Sequence, residues 1–415
     1  MLVLGPLLAL AIAGTTYAAD EKQALYLIPN VSPGVAKADH KADEYTLSNN
    51  ALSVTWSIGR QATFAPIIDN GFLENKLASD RISIGLPFQA TTVSGEKIWP
   101  FGMKLKGQPK IEKIVGTPLG ALPAGRFSGQ SISATLEDAS RHLEIEWKVI
   151  LLDESNYIRQ EITITTQMKP LTLKRLDLIQ TEVKGASAMG LAQNSPLATD
   201  DFFFAAESEG AVAGVDQDVA TCSLEELTLP EAKPVTYSSV VGVAPKDQLR
   251  RAFLNYVDRE RNRPRGPFGR YASWYAMGYF APHNGRICLE AVNRQTSELE
   301  KRGEESLQWW RANSDVLVDS HWIGGDPRTD VYGWAAWSSR KGLLTLRNPS
   351  ARAQSISIDV QKAFELPGRH PKAFVGHSPW ADDASKPTIK FTPGKKTSVT
   401  LQPNENIVLE AIPQR

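Results

Sequence analysis

Leu52, Val54, Trp56 and Ile58 alternate with Ser53, Thr55 and Ser57, the period-two pattern of a strand with one buried face. A longer example follows. Leu143, Ile145, Trp147, Val149 and Leu151 alternate with Glu144, Glu146 and Lys148; residues 153–156 supply turn chemistry, and residues 157–165 run back as a second strand. The pattern predicts a hairpin with one apolar and one wet face. Further strand-like runs lie at 82–86, 131–136, 171–178 and 235–243, separated by Gly, Pro, Asp and Asn, and residues 25–28 read as an edge strand. Short strands at this spacing predict a large β-sandwich.

The period changes after Pro245. Leu249, Phe253, Tyr256 and Val257 fall on one helical face, Arg250, Arg251, Asp258 and Arg259 on the other, and Pro264 and Pro267 stop the helix. An aromatic strand-like segment, 268–280, comes next, then a predicted helix over 285–302, a break at Gly303, and a second helix through Leu307, Trp310 and Ser314. Strands return at 332–337, 343–347, 355–360, 388–391, 398–401 and 407–411, which predicts a compact C-terminal β-sandwich.

The amino terminus reads as a targeting segment. An apolar run from Leu2 to Ala13 leads into small residues and then Asp20, which predicts a signal peptide cut after Ala18 or Ala19 and a secreted or periplasmic protein. No basic residue precedes the run, which places the expected start of the signal upstream; the run itself is too short for a permanent membrane span. The 415 residues, 42% hydrophobic and 22% charged, allow two or three domains. With 46 basic and 46 acidic residues the charges cancel, so nothing draws the chain toward nucleic acid. Two cysteines, Cys222 and Cys288, permit one disulfide or two buried thiols and do not make a disulfide framework. The six histidines lack ligand spacing, and the zinc, nucleotide and nucleophile-elbow motifs are missing, so neither a metal nor a cofactor is expected.

The stretches 236–245, 249–260, 271–280, 312–327, 331–338 and 343–350 together resemble secreted bacterial proteins often labelled "enterotoxin". These in turn resemble the α-galactosidase-like glycoside hydrolases of family 36 and its clan. The resemblance covers nearly all of the mature chain. It implies an N-terminal β-supersandwich over 20–245, a helical connector and barrel remnant over 246–315 and a C-terminal β-sandwich over 316–415, after a signal peptide at 1–19. In the family a (β/α)8 barrel stands between the two β-domains and carries two catalytic aspartates. Such a barrel takes about 250 residues, and only residues 281–308 lie between Phe280 and Trp309. The central barrel strands have no counterpart here, and Ala272 and Ala276 replace polar residues of the relatives' first strand.

Retaining hydrolysis needs two carboxyl groups roughly 5 to 5.5 Å apart on a rigid scaffold. Candidate replacements are Asp200 and Asp201, Glu207 with Glu209, and Asp319, Asp326 and Asp330 around His321, with Asp326 also read as part of a Gly-Gly-Asp-Pro turn. Aromatic content points elsewhere. Trp274, Trp309, Trp310, Trp322, Trp334, Trp337 and Trp380 lie in the last third of the chain, and exposed rings are platforms for the apolar face of a sugar. Trp274, Tyr275, Trp310, Trp322 and His321 are the candidate sugar contacts. Trp334 and Trp337, three apart in a strand, cannot face the same way, so one belongs to the core. Three readings follow. The first is a non-catalytic protein that binds carbohydrate or a partner; the second is a glycosidase with a rearranged carboxylate pair; the third is a deletion product that associates with itself through an uncovered barrel remnant. An exposed aromatic row, converging carboxylates, and a bare apolar patch over 271–279 are their respective signatures.

Overall fold

The computed structural model describes residues 32–58, 66–73, 81–83, 87–118, 122–192, 194–261 and 308–414. The fold is mostly antiparallel β-structure. One five-stranded sheet runs from Lys37–Lys41 to Arg81–Ser83 in sequence order; a second has the order Val212–Asp216, Val219–Leu229, Leu171–Glu182, Gln89–Thr92, Lys97–Ile98. Interleaved with the second in the chain are the strands of a nine-stranded sheet, centred on Val235–Val243, Tyr157–Thr166, Leu143–Leu152 and Gly129–Asp138. Buried side chains of all three sheets meet in one cluster that includes Trp56, Trp147, Ile162, Leu176 and Phe204.

The alternation at 143–151 produces the predicted hairpin. Leu143, Ile145, Trp147, Val149 and Leu151 are all buried, and the ladder pairs Leu143 with Thr166 and Ile150 with Arg159. Trp147 meets Trp56 edge to face, with ring centroids 5.6 Å apart. Its indole N–H donates to Gln160 Oε1 at 2.9 Å, and Gln160 Nε2 donates to the Pro87 carbonyl at 2.7 Å, so the polar atoms carried inside are partnered.

Phe202, Phe203 and Phe204 sit in strand Phe202–Ala206, which is covered on both faces. Phe202 and Phe204 enter the main core, while Phe203 points to a second cluster beneath helix α1 (Leu249–Glu260). The helix departs from the simple amphipathic expectation. Its apolar side, Leu249, Phe253 and Tyr256, packs on that second cluster, yet Arg251, Asp258 and Arg259 on the charged side are buried as well. The hairpin turn at 153–156 is the reason. Arg259 donates to the carbonyls of Glu154 and Asp153 at 2.9 and 2.8 Å and lies 3.8 Å over the Phe127 ring; Asn255 donates to Asn156 Oδ1 at 2.8 Å. A turn whose carbonyls have no strand partner finds its donors on the helix.

The C-terminal half holds a six-stranded sheet in the order His321–Gly324, Tyr332–Trp337, Gly342–Arg347, Asn406–Gln414, Ala373–His377, Ile389–Phe391, faced by the pair Gln354–Ile358 and Thr397–Leu401. Its core contains Trp337, Leu344, Leu346, Phe364, Phe374 and Leu401. Two short helices, α2 (Ser314–Leu317) and α3 (Val360–Ala363), complete this half. The segments expected at 25–28 and 268–302 lie outside the described residues.

Candidate functional site

Strand Tyr332–Trp337 has two fates. Ala335 and Trp337 enter the C-terminal core, whereas Tyr332, Trp334 and Ala336 point outward, as period two requires. At one end of this outer face Val316, Leu317 and Trp309 cover Ala336 and Leu343. Trp309 Nε1 donates to Glu410 Oε1 at 2.7 Å, Lys341 Nζ lies 2.7 Å from the other carboxylate oxygen, and Asn313 adds a third contact. Burial pushes the Glu410 carboxyl up, but these partners outweigh it and hold it below the usual range.

The other end of the face is open. Trp322 and Trp334 are 45% and 44% exposed and stand opposite each other in the ladder. Trp322 lies nearly parallel to Tyr332, centroids 4.9 Å apart and planes at 11°; Trp334 meets Trp322 and Tyr332 edge to face at 5.5 and 5.9 Å. Gly324 permits this. It faces Tyr332 in the ladder without a side chain, so Trp322 leans over the tyrosine, and its left-handed φ of 98° turns the chain into the 325–330 loop. A Cβ at Gly324 would sit 2.5 Å from the Val331 carbonyl oxygen. Around the rings the ladder sets Thr345 opposite Trp334, Arg347 opposite Tyr332, and Val408 and Asn406 on the next strand. The arrangement offers a fixed, half-exposed aromatic surface with hydroxyl, amide and guanidinium groups at its margin.

The other expected residues fall in separate places. His321 lies in the same strand as Trp322 with opposite parity, its Nδ1 3.0 Å from the Asp319 carbonyl. Trp310 is 48% exposed on the helical turn at 308–312 and touches none of the three rings. Trp274 and Tyr275 lie outside the described residues. Asp200 and Asp201 form the turn before Phe202, where Thr199 Oγ1 accepts from the backbone N–H groups of Asp201 and Phe202. Asp326 is held by Arg328, whose Nε and a terminal nitrogen donate to its two oxygens at 3.1 and 2.7 Å, and this pairing lowers its pKa. Asp330 accepts from the Asp326 backbone N–H at 3.0 Å, closing the loop on itself.

Asp319 is buried. Arg251 donates to both of its oxygens at 3.0 and 2.8 Å, Arg250 donates at 2.7 Å, and the Trp337 backbone N–H donates at 3.0 Å. Arg250 also pairs with Glu365, and Gln248 reaches the Glu365 carbonyl at 2.8 Å. Asp319 is thus committed to joining helix α1 to the C-terminal sheet.

Glu207 finds a partner in space that its sequence neighbour Glu209 does not provide. Arg159 donates to Glu207 through Nε and a terminal nitrogen at 2.9 and 2.8 Å and stands 3.6 Å from Glu260. Tyr256 donates to Glu207 at 2.9 Å and Tyr157 to Glu260 at 2.7 Å. Burial raises the Glu260 carboxyl above its ordinary pKa, with Arg159 and the Tyr157 hydrogen bond opposing. Two acids therefore converge on one arginine, each already engaged. Among the described residues no cluster of His, Cys, Asp and Glu has metal-site geometry, and no helix is long and apolar enough to cross a membrane.

The spacing of Arg159, Glu207 and Glu260 did not predict this cluster, since the three residues come from segments far apart in the chain. Tyr332 was legible in principle, two residues from Trp334 and hence on the same face of a strand.

Among the solved structures that match about half of the chain are glycoside hydrolases. One is the family 36 α-galactosidase AgaB from Geobacillus stearothermophilus, 13% identical, covering 51% of this chain and 41% of that one with a TM-score of 0.34. The galactosidase domain of the α-galactosidase–sucrose kinase AgaSK is 12% identical, with 51% and 42% covered and a TM-score of 0.32. A variant of a family 97 glycoside hydrolase from a Pseudoalteromonas strain is 9% identical, with 51% and 36% covered and a TM-score of 0.33. The chain spans about two fifths of the length of the α-galactosidases it matches. No family model and no curated protein matches it.

Proposed function

We propose that this is a secreted, non-catalytic carbohydrate-binding protein whose binding surface is the aromatic trio Trp322, Tyr332 and Trp334. The observation that carries the reading is the half exposure of two indoles fixed against a stacked tyrosine on a rigid sheet. A buried tryptophan serves packing; a pair left open to water offers flat apolar surface to the C–H face of a sugar ring. Secretion is supported by the apolar run and small residues at 2–19. Asp319, Asp326 and Asp330, the acids nearest the trio in sequence, are engaged by arginines and backbone N–H groups rather than aimed at a common point.

Titration of the full chain with oligosaccharides, read by quenching of tryptophan fluorescence, tests this. Trp322→Ala or Trp334→Ala is expected to weaken binding about tenfold or more, as for a central aromatic contact, with far-UV circular dichroism unchanged. Binding that survives both substitutions would remove the trio from the account. The alternative of a glycosidase with a rearranged pair draws on Glu207 and Glu260 sharing Arg159. Hydrolysis of aryl α- and β-glycosides by the wild type, and by Glu207→Gln, Glu260→Gln and Asp→Asn variants at 200, 201, 319, 326 and 330, decides it. The expected result is no turnover; turnover abolished by one or two of these changes would establish an active site.

A further inference from the structure

We infer that the aromatic platform selects a glycan carrying carboxylates, a chain containing hexuronic acid, and that Arg347 is the residue that selects it. The inference rests on the carbohydrate-binding reading above. The ladder places Arg347 directly opposite Tyr332 and diagonal to Trp334, on the outward face of Gly342–Arg347. Directly opposed residues have Cβ atoms about 5 Å apart, so the arginine side chain is long enough to bring its guanidinium to the margin of the rings. Arg347 is exposed and makes no ion pair among the described residues.

Among the described residues, the acids of the adjoining segments make other contacts. Asp326 is paired with Arg328, Asp330 accepts from the Asp326 N–H, Glu405 turns back to the Gln402 N–H at 2.6 Å, and Glu410 is tied to Lys341 at 2.7 Å. Arg347, without an ion pair among the described residues, therefore borders a flat apolar surface, with the Thr345 hydroxyl and the Asn406 amide on the same face. A sugar stacked on the indoles would carry its ring substituents toward that margin. A neutral hydroxymethyl group gains little from a guanidinium, whereas a carboxylate meets the planar fork with two parallel charge-assisted hydrogen bonds. Partial removal of water by the bound sugar strengthens the pair above its value on open surface.

The test is calorimetric titration of the full chain with an oligogalacturonate, a neutral hexose oligomer of equal length, and a sulfated form of that neutral oligomer. Wild type is expected to bind the uronate about five- to tenfold more tightly than the neutral oligomer, with the preference reduced by added salt. Arg347→Gln should abolish the preference, bringing the affinity for the uronate down to that for the neutral oligomer measured on the same variant. Trp322→Ala should weaken both. Equal binding of uronate and neutral oligomer, or a preference untouched by Arg347→Gln, overturns the role of Arg347 while leaving the platform intact. A stronger preference for the sulfated oligomer overturns the carboxylate assignment. Binding of none of the three overturns both this inference and the carbohydrate reading beneath it.

Discussion

Parity along a strand settles what each aromatic residue does. Trp337 and Trp334 are three positions apart, and one is 6% exposed while the other is 44% exposed. The same rule separates His321 from Trp322, adjacent residues that the chain sends to opposite sides of the sheet. Cys222 shows burial acting on chemistry. It lies fully buried and free in Val219–Leu229, and burial pushes its thiol up to about 12, despite a backbone hydrogen bond that favours the thiolate. At pH 8 about one thiol in ten thousand would be ionised. In a Cys288→Ser variant, which isolates it, Cys222 is expected to resist an aromatic disulfide reagent in the native state and to react at once in denaturant. Rapid native labelling would contradict this burial.

At the scale of elements, helix α1 is held on two sides. Its apolar face packs on the sheet and reaches Glu207 through the Tyr256 hydroxyl, while Arg259 on its charged face needs the 153–156 turn, so the helix is specified by polar groups as much as by apolar ones. Glu260 at its last turn makes this attachment pH-dependent. Its pKa is raised in the folded chain, so folding favours the protonated form; the stabilisation is full below the unfolded value near 4.5 and declines as pH rises through the folded value. Melting temperatures of wild type and Glu260→Gln should therefore diverge upward from about pH 4.5, with the amide variant relatively more stable at higher pH because it has no charge to acquire in a buried place. A constant difference across that range would show that Glu260 does not titrate as described. The Glu410 attachment of Trp309 has the opposite sign. Its lowered pKa confers stability above about 4.5 that is lost on acidification, so Glu410→Gln should be costly at neutral pH and should narrow its deficit in acid, measured by the same melts.

The two β-cores of the molecule, one built from residues between Ala36 and Val243 and the other between Val331 and Ala411, are joined by a buried charged junction. Arg251 is 1% and Asp319 3% exposed, and Arg251 also donates to Gln248 at 2.8 Å, to the Phe364 carbonyl at 2.7 Å and to the Glu365 carbonyl, and lies 5.6 Å over the Trp337 ring. Removing Arg251 leaves the buried Asp319 only Arg250 and the Trp337 N–H as donors and takes a buried donor from Gln248 and the carbonyls of Phe364 and Glu365. Arg251→Ala is expected to cost about 3 to 5 kcal/mol in denaturant unfolding, while Arg251→Met combined with Asp319→Leu should recover much of it, because neither charge is then left alone. A loss under about 1 kcal/mol for Arg251→Ala would mean that the halves do not depend on this contact.

Local alternation determined a great deal before any folding was considered. The strands at 143–152, 157–166, 235–243, 332–337 and 342–347, the helix after Pro245, and the division of Trp334 from Trp337 all follow from periods of two and 3.6, because side-chain direction is a property of the local backbone. Trp322 was a candidate sugar contact on sequence grounds, and Asp326 was legible as a turn residue for the same local reason. Tertiary structure alone decided what those directions meet. Ladder register set Trp322 against Trp334 and Arg347 against Tyr332, and the packing of α1 brought Glu260 to the Arg159–Glu207 pair. It also drew Asp319, an acid beside a histidine in the sequence, into the buried junction with Arg251. Pairings of this kind depend on distances between segments far apart in the chain, and no local period encodes such a distance.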